Sequence, residues 1–240
     1  MVGGGRVHDR AILDALESLP TEAIERDVWR VVRKGRDPLR GAVANGRWNA
    51  VGEFEVVYTS LTSEGALAEV GYRLSLEPVW PSRIEHELHN LKIKADRALK
   101  LENLQQLEKL GVNVARFESF EYSATQAVAA AAHFLEFDAL IVPSARYPCH
   151  NLVLFLNRLP APLEVLSTNN VDWSVWRANA RRYSPKNISH SDLKTLVRTR
   201  CDLRMPTQDR QYAARENSWQ AVSPSTIMLA ALRAPAPPPQ

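Results

Sequence analysis

The chain is expected to fold as an α+β domain, on three observations. Leu91, Ile93 and Ala95 alternate with Lys92 and Lys94, the two-residue period of a half-buried strand. Two further β-type runs, Phe137 to Val142 and Leu152 to Leu156, follow an alanine-rich helical stretch, Ser123 to Leu135. Strands outnumber helices in the middle of the chain but are interleaved with them, which gives a mixed core with flanking helices.

In chain order, Ile12, Leu13, Leu16 and Leu19 have helical spacing and stop at Pro20, so Val7 to Leu19 reads as a helix. Thr21 is placed to cap a short second turn. Val28 to Arg33 reads as strand, and Gly35 to Asn49 as a long loop rich in Gly, Arg and Pro. A strand from Glu53 to Thr59 leads into a helix from Ser63 to about Leu74. Leu67, Val70 and Leu74 share one face of that helix, and Glu69 lies about 160° away at 100° per residue. Its neighbours there are Gly65, Ala68 and Tyr72, small or aromatic residues that suit a crevice better than open solvent. Leu104, Leu107 and Leu110 mark a further helix, with Gly111 as its stop. Beyond Val171 the signals weaken. Trp173, Trp176 and Tyr183 can dock one helix, Leu193, Leu196 and Val197 another, and Ala234 to Gln240 is too proline-rich for helix or sheet.

Composition narrows the classes available. An apolar fraction of 45% over 240 residues allows a sizeable core. The longest apolar run, Ala127 to Ala132, is far too short to cross a bilayer. Met1 to Arg10 holds glycines and charges without an apolar core, so no signal peptide is expected. Cys149 and Cys201 have no metal or redox spacing and fit a reducing cytosol, so a cytoplasmic protein is expected. Charge is uneven: residues 171–240 carry 11 Lys+Arg against 5 Asp+Glu, and the remainder 19 against 22. The organisation expected is an N-terminal helical segment (1–27), a central domain (28–170) and a basic appendage (171–240).

Several short stretches carry candidate chemistry. Asn45-Gly46-Arg47-Trp48-Asn49 sets a guanidinium beside an exposed-type Trp-Asn pair, a loop suited to an anionic, planar ligand. The planar fork of Arg47 matches phosphate oxygens at two points. Arg30, in Trp29-Arg30-Val31-Val32, falls on the same side of its strand as Val28 and Val32. A lone inward charge is costly, so Glu69 or a ligand phosphate is its expected mate, with a structural ion pair as the alternative. Tyr58 ends its strand just before the Glu69 helix and is either a stacking platform or a half-buried strand tyrosine. Ser123 and Gln126 form an S-x-x-Q capping box, and the same helix start is suited to phosphate.

Other motifs fail. His86 and His89 have a carboxylate between them but lack the spacing of H-E-x-x-H, and on a strand they face opposite ways. Gly3-Gly4-Gly5 follows no strand. Ser144 lacks the glycines of a nucleophile elbow. No metal site is expected.

An Arg, a Glu and a Ser in that order around a Gly-Arg-Trp-Asn loop resemble the RES domain. The likeness runs from Val28 to Leu159 and includes Val57-Tyr58-Thr59-Ser60, Ala68-Glu69-Val70, Tyr122-Ser123-Ala124-Thr125-Gln126, Phe137 to Ser144, and Asn151-Leu152-Val153-Leu154-Phe155. Two departures stand out. Asn45 replaces the first glycine of the usual Gly-Gly-Arg-Trp-Asn, a substitution that still tolerates positive φ. Ala50 and Val51 replace two prolines, while Gly52 remains. The resemblance implies an ADP-ribosyltransferase-like fold and a toxin that degrades NAD, its substrate, by breaking the nicotinamide–ribose bond. Inorganic phosphate or water is the acceptor, which the residues leave open. It also implies a cognate antitoxin, of Xre type, through which alone nucleic acid would be met.

On this reading Arg47, Trp48, Asn49 and Ser123 bind NAD, Arg30 and Tyr58 grip its pyrophosphate and nicotinamide, and Glu69 stabilises the ribose cation. Transfer of ADP-ribose to a macromolecule is the rival within the fold. A nucleic-acid-binding module using residues 171–240 is the rival outside it.

Overall fold

The structure is a computed structural model that describes residues 8–180. The expectations for Tyr183, for Leu193 to Val197, for most of the basic appendage and for the proline-rich end fall outside those residues, as does Gly3-Gly4-Gly5. Among the described residues no helix is long and apolar enough to cross a membrane.

Six strands build one sheet: β1 (Thr21–Arg33), β2 (Val56–Ser60), β3 (His86–Lys100), β4 (Ala139–Pro143), β5 (His150–Phe155) and β6 (Glu164–Asn170). Their order is β1-β2-β5-β4-β3-β6, and β1 also pairs with β3, so five strands close into a ring with β6 on the outside edge of β3. Only the β3–β4 ladder is parallel. Alternation then separates two sides. Val28, Val57, Leu91, Ile93, Ala139, Ile141, Leu152 and Leu154 fill the inner side. Val56, Leu140, Val142, Val153 and Phe155 face outward under helices.

Five helices cover the outer side: α1 (Arg10–Glu17), α2 (Ser63–Ser75), α3 (Leu104–Lys109), α4 (Ser123–Phe134) and α5 (Trp173–Ala180). Asp9 caps α1, whose fully buried Leu16 packs with Val128, Ala131 and Ala132 of α4. Ala129, Ala130, Ala131 and Ala132 of α4 bury almost completely, because small side chains let the helix lie close on the strands. Thr62 caps α2 by accepting from the Gly65 N–H at 3.0 Å. Ala66, Leu67, Val70 and Leu74 of α2 pack against Trp29, Val31 and Leu88 of the sheet. Asn103 and Gln106 form a reciprocal capping box on α3, and Gly111 ends it at φ +84°.

Two elements differ from expectation. β1 starts at Thr21, where a helical turn was expected, and runs on through Val28. Its first half is mostly exposed and has no apolar alternation to read. It is held by backbone pairing with β3 and by cross-strand ion pairs, Glu25–Lys92 and Glu22–Lys100. β6 was not expected at all, since every one of its residues is exposed. The central packed unit also continues past residue 170. Val171, Trp173 and Trp176 join the α2 cluster, and Trp173 Nε1 donates to His86 Nδ1 at 3.1 Å.

Gly71 is what lets α5 approach α2, because a Cβ there would collide with the Trp176 ring. Gly71→Ala is therefore expected to cost about 1–3 kcal/mol, read as a lower midpoint in urea unfolding. An unchanged midpoint would mean that α5 contributes nothing to the packed unit.

Candidate active site

The Gly-Arg-Trp-Asn loop is a bridged turn, with the Gly46 N–H bonded to the Asn49 carbonyl at 2.9 Å. Trp48, 2% exposed, and Asn49, fully buried, are interior residues, which corrects the expectation that they are exposed to a ligand. Trp48 belongs to the core beneath α4. The Asn49 amide donates to the carbonyls of Ala42 and Ala44. Asn49 Oδ1 accepts from the Tyr58 hydroxyl at 2.7 Å, which itself accepts the Trp48 N–H at 2.9 Å. Tyr58 is thus a strut inside the loop. Burial pushes its hydroxyl pKa well up, so it stays protonated and donating. Gly46 is required here by space: a Cβ would lie 2.5 Å from both Asn49 Oδ1 and the Tyr58 oxygen.

Asn45 has an ordinary negative φ, since Glu136 is the only non-glycine with positive φ among the described residues. Its value lies in its side chain, which accepts from Gln126 Nε2 at 2.7 Å. The same nitrogen reaches the carbonyls of Gly46 and Asn49, and the Thr125 hydroxyl donates to the Arg47 carbonyl at 2.6 Å. The first turn of α4 therefore ties down the loop. The capping box expected of Ser123 and Gln126 does not form. The helix begins at Ser123 itself, after Tyr122, with no side-chain cap, and Ser123 is exposed.

Arg47 lies between the rings of Phe117 and Tyr122, with its guanidinium carbon 4.8 and 4.9 Å from their centroids. It donates to the carbonyls of Phe117 and Ser119. Burial pushes its pKa down, while the charge of Glu69 opposes that shift and the charge of Arg146 adds to it. Arg47, Glu69 and Arg146 therefore share one electrostatic neighbourhood.

Glu69 is the centre of that neighbourhood. Its Oε1 accepts from the Ser144 hydroxyl at 2.7 Å and from the Asn151 amide at 2.8 Å. Ser144 Oγ in turn accepts the backbone N–H groups of Arg146 and Tyr147, at 3.1 and 3.2 Å. With both acceptor positions filled, the Ser144 proton has one direction left, toward the carboxylate. Oε2 has no hydrogen-bond partner among the described residues. Arg146 stacks on Tyr72, 3.5 Å from the ring centroid, and donates to the Glu118 carbonyl at 2.6 Å. Tyr72 in turn stacks with Phe120, and Phe120 meets Tyr122 edge-on.

Arg30 does not join this group. It pairs with His89 across the β1–β3 ladder, on the inner side with Val28, whereas α2 covers the outer side. Its guanidinium donates to the Arg40 carbonyl at 2.9 Å. Burial lowers its pKa to about 10, offset in part by Asp37. The expected mate Glu69 is thus absent: the Arg40 carbonyl takes one nitrogen, and Arg30 Nη1 is buried without a hydrogen-bond partner among the described residues. His86 and His89 do face opposite ways, His86 toward Trp173 and His89 toward Thr168 at 2.9 Å. Among the described residues no cluster of His, Cys, Asp and Glu is arranged to hold a metal ion.

Sequence reasoning missed Ser144, Asn151 and Arg146. Ser144 was weighed only as a hydrolase nucleophile, although Pro143-Ser144 and Asn151 both lay in stretches already matched to the RES domain.

A mixed α+β core of this kind agrees with the comparisons to known proteins. The RES domain matches residues 27–177, more than half of the chain, and the chain belongs to the RES domain family. It is 30% identical over 156 residues to a probable NAD(+) phosphorylase of Mycobacterium tuberculosis (strain ATCC 25618 / H37Rv), a match covering 62% of this chain and 73% of that protein. The fold is also similar to the M. tuberculosis MbcT–MbcA toxin–antitoxin complex, with TM-score 0.63 and 22% identity, over 71% of this chain and 97% of the matched one.

Two substitutions separate strut from surface. Tyr58→Phe removes a buried hydroxyl with two partners and is expected to cost about 1–3 kcal/mol. Ser123→Ala is expected to stay within about 0.5 kcal/mol of the parent. Thermal melts of the two variants check both, and a large loss for Ser123→Ala would restore the cap.

Proposed function

We propose that this protein is an NAD-degrading enzyme that breaks the bond between nicotinamide and ribose, with water or inorganic phosphate as acceptor. The observation that carries the reading is Glu69, held through one oxygen by Ser144 and Asn151, with the other oxygen unpartnered among the described residues. As the glycosidic bond lengthens, positive charge builds on the ribose and its electron pair moves onto the nicotinamide nitrogen. A fixed carboxylate stabilises that cation without having to reorient. The guanidinium of Arg47 provides positive potential for the anionic part of the dinucleotide, and the Tyr72–Phe120–Tyr122 wall offers faces for its rings.

On this reading Tyr58, Trp48 and Asn49 act by shaping the loop that presents Arg47, and Arg30 supports the strand pair at the inner side. The core is ADP-ribosyltransferase-like, the catalytic unit covers the RES match, and the segment beyond it is an appendage. The protein works in the cytoplasm and uses no metal. The likeness to a probable NAD(+) phosphorylase supports the substrate. The likeness to one chain of a toxin–antitoxin complex supports a toxin whose own antitoxin restrains it, since an enzyme that drains NAD harms the cell that makes it.

Purified protein incubated with NAD, with and without phosphate, is expected to release nicotinamide. Modification of a macromolecule in place of free products would favour the transferase. Glu69→Gln keeps the shape and removes the charge, so NAD loss is expected to fall at least about a hundredfold while the thermal melt is kept. Near-parental turnover by a folded Glu69→Gln protein would sink the assignment.

A further inference from the structure

The positive charge around Glu69 exceeds what the carboxylate itself uses. Glu69 is held by two neutral groups, Ser144 and Asn151. Neither Arg47 nor Arg146 forms an ion pair with it among the described residues. The Arg47 guanidinium is part-buried, a costly position for charge with no carboxylate partner unless an anion completes it, and that of Arg146 lies at the more open edge of the same neighbourhood.

The two arginines are not equivalent. Arg47 is clamped between two rings and bonded to two carbonyls. Arg146 has one carbonyl partner, Glu118, which leaves four of its five N–H donors without a protein acceptor among the described residues. It is also tied more closely to the reacting centre. Its own backbone N–H bonds the Ser144 oxygen whose proton goes to Glu69. Its guanidinium lies flat on Tyr72, three residues along α2 from Glu69 and so on the neighbouring part of the same helix face. Arg146 is thus linked to Glu69 through one shared hydroxyl and one shared helix face.

Resting on the NAD-cleaving reading, we propose that Arg146 binds the attacking inorganic phosphate and so makes the enzyme a phosphorylase in place of a hydrolase. Hydrogen phosphate forms an O–C bond to the ribose carbon as the C–N bond breaks, and the bonding pair leaves with nicotinamide and neutralises its ring nitrogen. The phosphate keeps its proton, and the product is ADP-ribose esterified at that carbon. Water entering the same position would instead give ADP-ribose and release a proton.

The test follows nicotinamide release and both ADP-ribose products for the full chain over a series of phosphate concentrations. Parent protein is expected to form chiefly the phosphate ester. Arg146→Met, which keeps the stem over Tyr72, is expected to raise the KM for phosphate by about tenfold or more and to shift product toward ADP-ribose, with the KM for NAD little changed. Arg146→Lys is expected to recover part of the phosphate dependence, as a point charge without the fork. Thermal melts accompany each variant, and if Arg146→Met does not fold, Arg146→Lys carries the comparison. A raised KM for NAD with an unchanged product ratio would overturn the assignment and put Arg146 on the dinucleotide. Parent protein that cleaves NAD but makes only ADP-ribose at high phosphate would overturn it while sparing the NAD reading. Parent protein that does not cleave NAD would overturn both.

Discussion

The double pairing of β1 is the constraint from which the rest of the architecture follows. Because β1 bonds both β2 and β3, the sheet closes and every strand acquires an inner and an outer side. The outer side must then be covered by helices, and the two chain segments available beside β2 and β5 are α2 and α4. α2 brings Glu69 over the start of β5, where Asn151 waits, and α4 brings Thr125 and Gln126 over the Arg47 loop. One residue of slip in β1 would exchange Trp29 for Arg30 under α2. The same alternation accounts for Arg30 ending on the side away from Glu69.

Within this frame, on the proposed reading, groups that support and groups that react are kept apart. The Gly-Arg-Trp-Asn loop directs almost all of its polar atoms inward. Asn49, Tyr58 and Gln126 satisfy one another and the loop carbonyls, and Trp48 anchors the loop in the core. On that reading, what faces the ligand is a short arc formed by Glu69, Arg47, Arg146 and the aromatic wall. Ser144 links the two sets. Its hydroxyl takes two backbone donors from its own turn and passes its single proton to Glu69, so the turn between β4 and β5 sets the direction of the carboxylate.

Much of this was legible in the sequence. The α+β class, the α2 helix with Leu67, Val70 and Leu74 inward, and the Gly111 stop all follow from spacing and residue size. The fully exposed β6 and the first half of β1 were not legible, because backbone pairing alone leaves no hydrophobic period. Site residues divided along a similar line. Glu69 stood out as a candidate because its helical neighbours are small. Trp48 and Asn49 were misread as exposed because a Trp-Asn pair in a loop gives no sign of which way it points. Ser123 has the sequence of a cap, yet the helix starts on it and not after it. Ser144 and Asn151 are far from Glu69 in the chain, and it takes the β2–β5 and β4–β5 pairings together to bring them to it.

The loop also shows how order is achieved without the two prolines expected after it. Ala50 and Val51 place no fixed φ on the chain, so the loop is held by cross-links to α4: Asn45 to Gln126, the Gly46 and Asn49 carbonyls to Gln126, and the Arg47 carbonyl to Thr125. Proline would act on the unfolded chain, whereas these bonds exist only while α4 is formed. The loop and the first turn of α4 thus make one cooperative unit, in which neither part opens alone. Slow amide exchange at Gly46 and Trp48 is then a property of the helix as much as of the loop, and any event that frays the start of α4 loosens Arg47 as well.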